Sequence, residues 1–95
     1  MGMEIVVEGQ YLAVFNSTHR VLKAEALLKA RKNQFMLIPA PRAIQADCGL
    51  ALRFDPDQYD TIMHTLSEQN LLPAFLCQLI NGTYTTIKEF QHENN

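Results

Sequence analysis

The chain is poor in cysteine, with only Cys48 and Cys77 among its 95 residues. Two thiols cannot build the disulfide framework of a small secreted domain. With three widely spaced histidines they also make no zinc-ligand pattern. An excess of either charge is missing too. Eight Lys and Arg stand against ten Asp and Glu, for a net charge of −2. The basic stripe of a nucleic-acid binder is therefore absent, and so is the positive excess that suits an anionic membrane surface. No apolar run approaches the roughly 18 residues of a membrane span. The start, Met1-Gly2-Met3-Glu4-Ile5-Val6, has no cationic residues ahead of its apolar stretch, as a signal peptide would. Val6 stands where a myristoylation signal needs Ser or Thr. These absences lead to the expectation of a reduced, cytoplasmic protein without resident metal or cofactor, binding neither nucleic acid nor membrane.

What the chain does have is enough apolar residue, 47% against 19% charged, for one hydrophobic core. Repeats, low-complexity segments and linkers are missing, so residues 1–95 read as one domain, with a core of about 10–88 and flexible N- and C-terminal ends. Gln10 to Phe15 (QYLAVF) is short, apolar and aromatic, as a buried strand is. Asn16, Ser17 and Thr18 then offer helix-capping side chains. Val21, Ala24 and Leu28 recur at helical spacing, with Leu22, Leu27 and Ala30 widening the stripe until Asn33 and Gln34. Phe35 to Ile38 reads as a second strand, stopped by Pro39, and Leu50 to Phe54 as a third. Asp55-Pro56 is a cap followed by proline at a first helical position. The helix it opens carries Tyr59, Ile62, Met63 and Leu66 on one face.

Residues 73–80 admit two readings. Ala74 to Ile80 and Thr83 to Ile87 form a hairpin if Asn81-Gly82 is a type I′ turn. Alternatively, Pro73 opens a short helix that ends at Asn81-Gly82. The hairpin is the preferred reading. Either way, the order β-α-β-β-α-β predicts an α+β, ferredoxin-like split β-α-β sandwich. Its antiparallel sheet has two helices on one face, with an extra C-terminal strand or helix appended.

This topology gives Cys48 its interest. The first two strands run parallel through a right-handed crossover helix, so that helix starts at the end of the sheet where the second strand finishes. Cys48, in the connection between the second and third strands, belongs to that same end. Free N–H groups around Ser17 to Arg20 are expected to face its neighbourhood and to favour an anion there. Each residue also has a plainer explanation. Cys48 can be an ordinary loop cysteine, Arg42 a solvated surface charge, and Ser17 and Thr18 simple caps. His19, in the first helical turn, is the one histidine placed to approach Cys48. His64 lies off the apolar face, four residues after Asp60, as a surface pair would. Cys77 keeps step with Phe75 and Leu79, as a core residue does.

The segment Leu37-Ile38-Pro39-x-Pro41-Arg42-x-Ile44, followed by Cys48-Gly49-Leu50-Ala51-Leu52-Arg53-Phe54, resembles the selenium/sulfur carrier-like family. So do Phe15-Asn16-Ser17-Thr18 and the helix with Ala24-Glu25 and Leu28. The resemblance covers roughly Tyr11 to Leu66. Gln45 after Ile44, and the longer tail from Leu71, depart from the family pattern. The resemblance implies that Cys48 holds sulfur or selenium as a persulfide or perselenide. A cysteine desulfurase or selenium-delivery protein would be the donor, and a downstream protein the acceptor.

Carrier chemistry requires an accessible, ionisable thiol, because a thiolate attacks the outer sulfur of the donor's persulfide. Gly49 can take up positive φ and admit a partner's backbone, while the prolines hold the loop in shape. Arg42 is the candidate cation for a thiolate or a transferred sulfur anion. A competing reading is a ferredoxin-like regulatory or protein-interaction module that binds a small ligand, or a partner strand or second copy along an open edge strand, with Cys48 incidental. A thiol enzyme or redox sensor would need a nearby base or a resolving cysteine, and Cys77 is poorly placed for that.

Overall fold

A computed structural model describes residues 5–90. It contains strands β1 (Tyr11–Val14), β2 (Met36–Pro39), β3 (Leu50–Phe54), β4 (Phe75–Ile80) and β5 (Thr83–Glu89), with helices α1 (Thr18–Ala30) and α2 (Tyr59–Glu68). All pairings are antiparallel, and the sheet order is β2-β3-β1-β4-β5. This is the ferredoxin-like split β-α-β arrangement, with β5 added beyond β4. Because β1 and β2 both pair antiparallel to β3, they run parallel to each other, joined by the α1 crossover.

Period-two alternation sends successive β1 side chains to opposite faces. Ala13 and Phe15 join the helix-side core with Val21, Ala24 and Leu28 of α1, Ile62 and Leu66 of α2, and Leu52, Phe54 and Leu76. Leu12 and Val14 face the other way, into a second cluster with Ile38, Ala51, Cys77 and Leu79. This second face is covered too, by Val6 and Ile44 with Ala40 and Ala46 packed beside them. The proline-rich segment is therefore a packing element as well as a connection.

Several local expectations change. Ser17 supplies the α1 cap, its hydroxyl accepting from the Arg20 N–H at 3.1 Å. Leu22 and Ala30 do not widen the buried stripe. Both are exposed, because only Val21, Ala24 and Leu28 point directly at the sheet. Pro39 is the last residue of β2 rather than its stop, since an edge strand tolerates a missing N–H. Asp55 precedes a 3₁₀ turn, Pro56–Gln58, yet makes no cap hydrogen bond, and its carboxylate accepts from Gln10 Nε2 at 2.9 Å instead. His64 pairs with Glu68 at 3.2 Å rather than with Asp60.

Residues 75–80 form a strand, not a helix. Asn81 and Gly82 both have positive φ, 52° and 76°, as a type I′ turn requires. Cys77 lies opposite Thr86 and Leu76 opposite Lys88, so Ile87 is the extra residue of a β-bulge. Glu8 accepts from the N–H groups of both Asn81 and Gly82, tying the N-terminal segment to this turn. Gly9 N–H donates to the Leu79 carbonyl at 2.7 Å. Of the ends expected to be flexible, residues 1–4 and 91–95 lie outside the described residues, and His92 is among them.

Candidate functional site

The connection between β2 and β3 crosses the end of the sheet through two turns. In the first, the Ile44 N–H donates to the Pro41 carbonyl at 2.9 Å, with Arg42 and Ala43 at the exposed tip. Ile44 then buries itself in the second-face cluster. In the second turn, the Gly49 N–H donates to the Ala46 carbonyl at 3.0 Å, with Asp47 and Cys48 between them. Gly49 leaves that turn at φ +73°, a left-handed conformation that favours glycine. Nothing lies within 4 Å of where its Cβ would stand, so conformation rather than crowding calls for glycine here.

Cys48 is half-buried and packs beside the helix-side core. Its Sγ–H has two acceptors, the Phe15 carbonyl at 3.3 Å and the Leu50 carbonyl at 3.2 Å. Phe15 and Leu50 follow directly on the register pair Val14↔Ala51. The sulfur thus caps the end of the β1·β3 ladder, at Phe15, two residues before the α1 cap Ser17.

This geometry partly changes the expected site. Cys48 and Gly49 share one turn, and Phe15 brings the β1–α1 junction to the sulfur. Carbonyl oxygens, rather than helix N–H groups, meet Sγ. Thr18 and His19 are exposed on the first turn of α1, and no hydrogen bond links either of them, or Ser17, to Cys48. Arg42 belongs to the other turn, and among the described residues no ion pair or hydrogen bond engages its guanidinium. The two carbonyls carry no sequence signal of their own, since any residue supplies one; only the β1·β3 register could have located them.

Cys77 is 3% exposed on the second face. Burial pushes its thiol above the ordinary value, outweighing the opposite influence of the Thr86 side-chain hydrogen bond. It also lines an open groove of about 230 Å³ with Ala43, Ile44, Gln45, Phe75, Tyr84 and Thr86. The thiols therefore occupy opposite sides of the sheet. Another contact that sequence reading missed is Arg20, whose guanidinium donates to the carbonyls of Asn70 and Leu72 at 3.2 Å and fastens α1 to the exit of α2. Among the described residues, no three His, Cys, Asp or Glu side chains group as a metal site. No helix among them is long and apolar enough to cross a membrane.

Residues 10–78 match the family described as "Putative Se/S carrier protein-like". No curated protein and no solved structure matches the chain. The family match runs from the residue before β1 almost to the end of β4, taking in α1, both turns and Cys48. On that extent of match, the chain belongs to the selenium/sulfur carrier protein-like family.

Proposed function

We propose that the protein is a sulfur or selenium carrier that holds a persulfide or perselenide on Cys48. One observation supports this most: Cys48 is half-buried whereas Cys77 is 3% exposed, and Cys48 stands in a turn closed by a left-handed glycine within the family match. Cys77 is buried in a strand on the far face. A cysteine desulfurase or selenium-delivery protein is the donor in this reading, and a second protein takes the sulfur onward. The protein relays rather than turns over substrate, so it needs no acid–base pair and no cofactor beyond the covalent sulfur. Gly49 leaves room for a partner's backbone at the sulfur. Arg42, at a free loop tip, offers a mobile cation to the transferred anion or to an acidic partner. Ser17, Thr18 and His19 form the rim supplied by α1. A reducing, cytoplasmic setting suits a protein whose thiols are both free.

The test is uptake from a donor. The protein is incubated with a cysteine desulfurase and cysteine, reductant is removed, and its intact mass is measured. Wild type should gain the mass of one sulfur atom and Cys48→Ser should gain none. Equal uptake by both, or no uptake by wild type, contradicts the proposal.

A second reading has its own support. The Cys48 thiol caps a strand ladder, a structural task, and the Cys77 groove offers a small binding surface. In this reading the protein is a regulatory or interaction module. A second copy would add to β5, because the other edge, β2, is only four residues long and ends in Pro39. The β-bulge at Ile87 and the charge of Lys88 oppose such addition. Under the module reading, Cys48→Ser leaves partner binding intact.

A further inference from the structure

The inward position of the Cys48 sulfur has a consequence for loading. Sγ lies 3.3 Å from one carbonyl oxygen and 3.2 Å from another, and both groups are acceptors only. A thiol has a single proton and can satisfy one of them at a time. A sulfur without a proton gains nothing there, because it meets two oxygen lone pairs at contact distance. On the Gly49 side the space is open, and Asp47 and Gly49 are both exposed.

The geometry points to a two-position arm at Cys48: the unloaded thiol turns inward and donates to Phe15 or Leu50, and the loaded sulfur turns outward past Gly49. This inference rests on the carrier reading above. In the loading step, Cys48 Sγ as thiolate attacks the outer sulfur of a donor persulfide. The Sγ–S bond forms and the donor's S–S bond breaks. The donor's cysteine sulfur leaves with the electron pair and takes up the proton that Cys48 gave up. Sulfur moves already oxidised, so no further oxidant is needed. After transfer, Sγ is bonded to Cβ and to sulfur and has no proton, so neither inward contact can re-form.

The two states therefore differ beyond the sulfur itself. The unloaded thiol caps the end of the β1·β3 ladder, next to the start of α1, and the loaded one leaves that end uncapped. The surface beside Cys48 thus differs between the carrier that meets a donor and the one that meets an acceptor. This gives the two partners a physical basis for telling the states apart.

Methyl methanethiosulfonate provides a test independent of any donor. It converts the Cys48 thiolate to Cys48–S–S–CH3, releasing methanesulfinate, and leaves Sγ without a proton as loading does. The protein is treated briefly, and mass spectrometry confirms that Cys77 is unmodified. The amide resonances of Asn16 and Ala51 are then read, because their nitrogens are bonded to the two acceptor carbonyl carbons. Both should shift on methylthiolation, and Cys48→Ala should shift them the same way. Cys48→Ser keeps an O–H donor and should leave them near the positions of the unmodified protein. Unmoved resonances after methylthiolation, or identical spectra from the Ser and Ala variants, overturn the arm. Sulfur uptake is scored separately by mass. Uptake with unmoved resonances removes the arm alone, and moved resonances without uptake remove the carrier reading alone.

Discussion

At the scale of single residues, two cysteines of the same chemistry have been given opposite environments. Cys48 stands in a turn with its sulfur at the end of a strand ladder, while Cys77 is enclosed by Leu12, Val14 and Leu79. That contrast was legible in the sequence, because Cys77 falls in step with Phe75 and Leu79 whereas Cys48 lies between two strands. The partners of Cys48 were not legible, because they are backbone oxygens brought in by register. The burial of Cys77 carries a pH dependence. Its folded thiol titrates above the ordinary value, chiefly because burial disfavours the thiolate. Below the unfolded value both states keep the proton, and the favourable contribution is fully present. As pH rises from there through the raised folded value, the unfolded chain sheds a proton that the native state retains, and stability falls. Cys77→Val lacks this group, so the difference in urea midpoint between wild type and variant should hold steady near neutrality and move against wild type at alkaline pH. A difference that stays constant across the alkaline range contradicts the assignment.

At the scale of elements, the strongest signals were those with a single physical reading. Leu50 to Phe54 became a strand with the expected limits, and the Val21, Ala24 and Leu28 stripe became the buried face of α1. Residues 73–80 were ambiguous for a definite reason. β4 lies between β1 and β5 with both faces packed, so its apolar run shows no clean alternation. The turn at Asn81-Gly82 resolves it, since both residues take the left-handed conformation that joins adjacent strands. The α1 cap leads to a quantitative expectation. The Ser17 hydroxyl holds the Arg20 N–H at 3.1 Å at a half-buried helix start, beside the proposed site. Ser17→Ala should cost about 1 kcal/mol of stability, read from urea denaturation with an unchanged slope. No loss would show that another group caps α1.

At the scale of the whole molecule, element order was enough to give the β2-β3-β1-β4 core and its two helices, because handedness and pairing rules leave few arrangements of β-α-β-β-α-β. The covering of the second sheet face was hidden. It depends on Val6 and on Ile44 folding back over Ile38, Ala51 and Val14, long-range contacts with no local periodicity. That covering shapes function as well as stability, since it holds the Arg42 turn against one face and leaves the Cys48 turn at the end of the sheet. It thereby leaves Cys48 half-buried at that end and Cys77 buried on the covered face. The central claim, that Cys48 is the position at which sulfur rides, is tested most directly by locating the atom. Wild-type protein is loaded by a desulfurase, separated from it, capped with an alkylating agent, and its peptides are read by tandem mass spectrometry. The account predicts one extra sulfur on the peptide containing Cys48, with the Cys77 peptide carrying none. Extra sulfur on Cys77, or a Cys48 peptide that stays unloaded while the donor is active, would contradict it.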